Sequence, residues 1–582
     1  MWVRFTTEVT SKVAGPARDR PAGTLPVDRP PMAPVPVGAA SALDGAVAGA
    51  LAAATSIAVA ELLAGLIPGA PSLVLAIGAL VIDFQPPGAK DVVVDLFGTN
   101  DKLALNVIVI AAALAVAAAL GVAARRRIRR ADTGFGVAGL IALVAAWREP
   151  LVSLPLAAAT VAVAVVAGLA SLRFLIAPSA AVPGTVATGS GGAEVAADRA
   201  SARRLRRIGL DRALDQRTDQ PAVGMSDWNR RQFLVRSAGL AGTVVVAGGL
   251  GRWLLQRRAE ATPAVSTMVP PPAVGAAPLT PGQSLNVAGL TPLVVPNDRF
   301  YRIDTALLTP HIDVQDWRLS VTGMVDRQVE LTYAELAALP LFEQYVTIAC
   351  VSNRVGGDLV GNALWTGVCL RQVLAMAGIK SGATQIVGRS ADGWTAGFPT
   401  EHALNPDREP MIALLMNGQP LPADHGYPAR LIVPGLFGYV SATKWLTEIE
   451  LTTLEAFDGY WVPLGWAKEG PILTQSRIDV PGYGDTVPAG AVTVAGVAWA
   501  PDRGISRVEV SADAGPWQPC TTSQPISAAT WLQWQTQLTL AAGRHTIEVR
   551  ATDGTGVVQT ADMSEPAPDG ARGHHRIGVL AR

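Results

Sequence analysis

The feature that most constrains this chain is a set of long runs without a charged residue in its first half. Residues 103–124 carry none, enough for a helix to cross a hydrocarbon layer about 30 Å thick. Residues 151–172 form a second such run. Between Gly45 and Ile82 the only charge is Glu61. That stretch, broken at Pro68-Gly-Ala-Pro71, holds one crossing at 45–67 and then either a short crossing or a re-entrant segment at 71–84. Residues 134–147 are a shorter run, and 233–255 are uncharged between Arg236 and Arg252. A soluble core rarely supplies so many apolar runs of this length.

Basic loops orient such helices. The cluster Arg125-Arg-Arg-Ile-Arg-Arg130 should be cytoplasmic. So should residues 178–232, with nine Arg, no Lys and six acids. The run at 233–255 then leads outward, and all that follows lies outside. With five crossings the N-terminus is inside; with six it is outside. Arg230-Arg231 followed by Phe233-Leu234 and small apolar residues reads either as a twin-arginine export signal or as a plain positive-inside flank.

The expected organisation follows. Residues 1–40 are a disordered tail, 41–177 transmembrane helices, 178–232 a cytoplasmic Arg-rich loop, and 233–256 the last transmembrane helix. Residues 257–290 are a Pro/Ala-rich linker. Residues 291–455 mix strands and short helices, with Thr332 and Glu335 spaced as a capping box. Residues 456–582 become short alternating strands split by turns, the pattern of an immunoglobulin-like sandwich. The fold class is thus an α-helical transmembrane bundle, an α+β domain and an all-β sandwich. Net charge is zero, so nothing suggests nucleic acid as a partner. All six His lie at or after residue 311, so no haem is expected in the helices.

Three widely spaced cysteines make no disulfide framework. Cys369, in an apolar helical pattern, and Cys520, in a turn, read as packing. Cys350 differs. It ends a strand-like "YVTIA" and precedes Val-Ser-Asn-Arg-Val-Gly-Gly. A thiol beside an arginine and flexible backbone is placed to be a thiolate, and thiolates are soft metal ligands. On these features alone, packing and chemistry both stay open.

Residues 298 onward resemble the molybdenum domain and following domain of the sulfite oxidase family. The motif Cys-x-x-Asn-Arg stands as Cys350, Asn353 and Arg354. It is followed by Ala363-Leu-Trp365-Thr-Gly367-Val368. A second block, 416–451, holds Asn-Gly, Leu-Pro, His-Gly-x-Pro-x-Arg, Val-Pro-Gly and Lys-Trp in family order. A third, "VAGVAWAPDRGISRVEVSADAGPW", resembles the start of the C-terminal sandwich.

The resemblance implies one molybdenum-molybdopterin per chain, with Cys350 as its protein sulfur ligand. Arg354 and Arg302 would stand near the reacting centre. Asp298, Tyr301, Arg302, Asp392, His425, Arg430, Ala442, Thr443 and Lys444 would hold the cofactor, Arg430 by its bidentate fork to a phosphate. Trp466 and Lys468 are further pocket candidates. The sequence departs from the family at Ile303, where the resemblance calls for an arginine. The implied activity is oxygen-atom transfer to or from a small oxyanion or sulfur compound outside the cell membrane, with a cytochrome or quinone as electron partner and a homodimer through the sandwich. The alternative is a cofactor-less binding or structural ectodomain on the same scaffold.

Overall fold

The computed structural model describes residues 37–85, 96, 101–125, 127–176, 230–260 and 269–582. The expected tail at 1–40 lies almost wholly outside the described residues, as does nearly all of the Arg-rich loop at 178–232.

Among the described residues six helices come first: α1 (Val37–Leu66), α2 (Leu73–Asp83), α3 (Asp101–Ala124), α4 (Ile128–Trp147), α5 (Leu154–Ile176) and α6 (Arg230–Glu260). Four of these contain spans long and apolar enough to cross a membrane: Ala42–Leu66, Lys102–Ala124, Leu154–Ile176 and Arg231–Arg258. Small residues let their backbones touch. A Cβ at Gly49 of α1 would stand 2.0 Å from the Ala117 carbonyl of α3, and one at Gly251 of α6 would stand 2.4 Å from the Glu61 carbonyl. Such close approach is how apolar helices associate where burial from water gives no drive.

The short helix α2 is packed against α1 and α4. Its 11 residues span only about 16 Å, half of what a crossing needs. Ser72 caps it, and the Ser72 hydroxyl donates to Glu61 of α1 at 2.6 Å. At its far end Asp83 pairs with Arg148, at the end of α4 (3.0 Å). Both ends of α2 therefore lie toward the C-terminal ends of α1 and α4, and neither α2 nor α4, which carries the expected run at 134–147, is among the spans long and apolar enough to cross. The start of α1 then shares a side with Arg125, which lies against Gly45. On that same side Arg173 pairs with Asp132, and Arg236 lies over Phe174. Helix α4 opens at Ile128, so Arg129 and Arg130 belong to its first turn rather than to a loop.

The globular part begins with an extended strap. Ala273 N donates to Leu341 O, and Leu285 N to Gln533 Oε1, so residues 269–290 lie along the surface of both later units. One mixed sheet has the spatial order Val329–Thr332, Arg318–Gly323, Leu446–Thr452, Gln385–Ser390, Thr395–Pro399. A second runs Leu341–Ala349, Val360–Cys369, Met411–Met416 and Gln419–Pro420, with Arg430–Ile432 paired to Met411–Met416. Leu319, Leu336, Trp365, Val373, Leu431 and Ile449 are buried in the common core. The Thr332 hydroxyl accepts from Glu335 N and the Glu335 carboxylate accepts from Thr332 N, closing the capping box.

Two more sheets follow, of four and five strands. The first centres on Gly490–Trp499 and Leu532–Leu540, the second on Ile505–Ala512 and Gly543–Asp553. Val494, Trp534, Val508 and Val549 share one core between them. Cys520 packs against that core. Cys369 closes a strand and precedes the helix Leu370–Ala377, so the helical pattern starts one residue after the cysteine.

Candidate active site

Strand Leu341–Ala349 delivers Cys350 to a tight loop. Cys350 N donates to Leu359 O (2.9 Å), and Leu359 N donates to the Asn353 side chain (2.9 Å). Asn353 thereby shapes the loop that presents the thiol. Cys350 is nearly buried, and its Sγ lies 2.9 Å from Ser352 Oγ.

The thiol faces a half-open cavity shared with Tyr301, Asp304, Asp392, Arg430 and Lys444. Four tryptophans, Trp394, Trp445, Trp461 and Trp466, line it with Tyr439. Trp461 and Trp466 stand edge to face, their centroids 6.4 Å apart. Tyr301 stacks on Phe300.

Two buried cations line the same cavity. Arg430 leaves strand Arg430–Ile432 and is 3% exposed, with its guanidinium over the Trp365 ring. Its Nη1 donates to His425 O (3.0 Å), while its Nε, equally buried, has no partner among the described residues. Lys444 donates to Asp304 Oδ2 (3.1 Å) and Asp424 O (2.8 Å). Burial pulls Lys444 down to about 8 and Arg430 to about 10. Burial alone would raise the Asp304 carboxyl, but Lys444, Lys102 and Arg302 hold it well below the carboxylate range. A buried cation with an orphaned N–H is costly unless an anion meets it. The Thr443 hydroxyl nearby is orphaned too.

The expected site residues separate into two sets. Tyr301, Cys350, Asp392, Arg430, Ala442 and Lys444 line the cavity, and so does Trp466. Asp298, Arg302, Arg354, His425 and Thr443 are not among its lining residues. Arg302 turns to Asp304, Asp424 and Thr309, and its neighbour Ile303 faces the cavity instead. Arg354 is largely exposed and lies 3.9 Å from Glu565. Asp298 is exposed. Lys468 pairs with Asp458. His425 sits behind the cations, its Nε2 3.0 Å from Asn297 O and its ring edge-on to Phe300. Asp304 and Trp394 also line the cavity but stand in no motif that singled them out, whereas Trp445 belongs to the Lys-Trp pair of the second block.

Burial, then Lys444 and Arg430, push His425 down to about 4, so the ring is neutral at pH 7. Unfolded, it would take a proton near 6.5. The unfolded chain therefore binds more protons between these values, and stability must fall as pH drops from about 6.5 to 4, by at most about 3 kcal/mol. Denaturation of the full chain in detergent across that window should show the loss. His425→Gln, which cannot titrate, should flatten it; an unchanged slope in that variant would contradict the assignment.

No cluster of three His, Cys, Asp or Glu that could hold a bare metal ion occurs among the described residues. A metal at Cys350 must therefore bring most of its donors with it, as a dithiolene-bearing pterin does. The aromatic lining, the two buried cations and the single thiol fit such a group.

Comparisons with known proteins agree. Residues 306–461 match the family model "Oxidoreductase molybdopterin binding domain". Mitochondrial sulfite oxidase of Homo sapiens is 31% identical over 303 residues, covering 44% of this chain and 55% of that protein. An NADH nitrate reductase of Hordeum vulgare is 28% identical over 310 residues, covering 42% of this chain and 34% of that one. The chain thus spans about half or less of the length of these relatives. Among solved structures, the sulfane dehydrogenase SoxCD of Paracoccus pantotrophus matches 48% of this chain and 77% of that one at 23% identity, TM-score 0.42.

Proposed function

We propose that this chain, a molybdopterin-dependent oxidoreductase of the sulfite oxidase family, is held in a membrane by its helical half. There it transfers an oxygen atom to or from a small oxyanion or sulfur compound. The observation that carries this reading is the cavity in which Cys350 faces the buried pair Arg430 and Lys444.

The cofactor supplies the metal and its oxo chemistry when bound. The protein's part is to hold, orient and exclude. Cys350 would be the soft sulfur donor to the metal, kept in place by its loop and by Ser352. Arg430 and Lys444 would receive the anionic end of the pterin. Tyr301, Asp392 and Ala442 would meet its ring system. His425 and Thr443 act from behind as positioning residues, Arg302 braces the segment that carries Tyr301 through Asp304 and Asp424, and Asp298 stands exposed ahead of it. Arg354 stands at the outer rim. With Ile303 facing the cavity, the substrate meets less positive charge than the family pattern calls for.

The C-terminal sheets we read as an immunoglobulin-like sandwich, and the catalytic unit as lying on the side of the membrane opposite the Arg-rich loop. Support for that side is the outward course of α6 and the Arg230-Arg231 motif, since a domain folded around a cofactor cannot be threaded unfolded.

Two experiments test this. Purified full-length protein should contain molybdenum and turn over at least one of sulfite, nitrate or a sulfoxide with an artificial dye. Molybdenum-free protein inert toward all three would favour the cofactor-less alternative. Replacing Arg230 and Arg231 by Lys should leave the catalytic domain inside spheroplasts, protected from added protease. Full protease access in that variant would remove the export idea.

A further inference from the structure

A second cavity lies between the helices and the catalytic domain, with about 2390 Å³ of space continuous with its surroundings. Its floor is apolar: Ala76, Ala79 and Leu80 of α2, with Ala145 of α4. Its walls are polar and titratable. Arg148 and Glu149 come from the α4–α5 turn, Asp392 and His311 from the catalytic domain. The two bodies are fastened beside it. Lys102, in the first turn of α3, donates to Asp304 Oδ1 and to Ala306 O, each at 2.7 Å. Pro150 stands against Gly393, where a Cβ would lie 3.0 Å from its ring.

Thr305, Asp392 and Trp394 line both this cavity and the one that holds Cys350. The partition between the two is therefore a single layer of residues. Asp304, which pairs with Lys444 on the cofactor side, is the same carboxylate that anchors Lys102 of the bundle. Val81 and Phe84, at the end of α2, are exposed apolar side chains, and Ile82 and Asp83 between them line the cavity.

We propose that this interdomain cavity binds a membrane quinone, which exchanges electrons with the cofactor across the Asp392–Trp394 partition. A quinone head is a flat apolar ring with two polar oxygens on opposite edges, carried on a lipid-soluble tail. An apolar floor made by α2 and α4, packed among the helices long enough to cross a membrane, under a polar, proton-bearing wall has that chemistry. A protein carrier would instead need an exposed convex or flat surface over the cofactor. The couple balances: a quinol becomes a quinone, giving two electrons to the molybdenum centre and two protons to water by way of the cavity carboxylates. With an oxidisable substrate the same steps run in reverse. Burial raises the Glu149 carboxyl and the nearby Asp392 charge adds to it; burial also raises Asp392, against the opposing hydrogen bonds from Ser390 and Trp394. The electron-transfer part rests on the proposed function; the binding part does not.

The test uses the full chain in lipid nanodiscs and a short-tailed photoreactive azidoquinone. Label should fall on peptides containing 145–152 and 392–394, and excess unlabelled quinone should compete it away. Ala79→Trp, which fills the floor, should cut labelling at least about tenfold, and Leu464→Trp should do so from the other wall if the first variant folds poorly. Cys350→Ser should label like wild type, because the quinone site does not need the metal. Dye-driven turnover should survive Ala79→Trp while quinol-driven turnover is lost. Labelling that neither variant changes, or that added phospholipid competes as well as quinone does, overturns the proposal and leaves a lipid slot. Wild type lacking molybdenum but labelled as described would sink the enzymatic reading and leave the quinone site standing.

Discussion

Arg430→Met is expected to empty the domain of its cofactor without unfolding it. Arg430 is almost wholly buried, its Nε is unpaired and burial depresses its pKa. A charge in that state is a cost to the empty protein, and an apolar replacement of similar volume is commonly neutral or stabilising. The two bonds to His425 O and Ala442 O are lost, at about 1.5–3 kcal/mol each for a charged donor, against the several kcal/mol that a buried charge without an anion costs. Cofactor binding moves the other way. Losing a charge-assisted contact to a buried anion costs about 3 kcal/mol, on the order of a hundredfold in affinity. Purified Arg430→Met should therefore carry little molybdenum or pterin, while the melting temperature of the empty form equals or exceeds that of empty wild type. A cofactor-loaded variant, or an empty one that is grossly unstable, would mean that Arg430 is a structural residue.

Cys350→Ser is the second large effect. The change removes one soft donor and little packing, since the side chain touches a loop rather than the centre of the core. Loss of an outer partner of a metal ligand already costs roughly 10–100-fold, so loss of the ligand itself should lower turnover by more than about a hundredfold. The same substitution at Cys369 should be nearly silent, because that residue only joins a strand to a helix. Dye-coupled turnover of both variants separates them; equal rates would return Cys350 to the reading of simple packing.

The helices were legible through long runs without charge. Hydropathy left α2 ambiguous because it counts apolar residues and ignores a cap; Ser72, bonded to Glu61, starts the helix late and leaves it 11 residues long. The thiol and the two cations were legible because each sits in an ordered motif. Arg302 was misleading for a local reason. It and Ile303 are adjacent on an extended segment, so they point to different sides, and Asp424 and Thr309 draw the guanidinium outward. Asp304 was invisible because one of its partners, Lys102, is 202 residues earlier in the chain. Trp394, Trp445 and Trp461 come from three separate loops or turns, and only the fold brings them around one space.

The central claim is that Cys350 supplies one sulfur to a molybdenum ion carried by a pterin. X-ray absorption at the molybdenum edge, on wild type and on whatever Cys350→Ser protein retains metal, tests it most directly. The expected result is one fewer sulfur scatterer in the variant, replaced by a lighter oxygen neighbour. An identical sulfur shell in both proteins would contradict the claim.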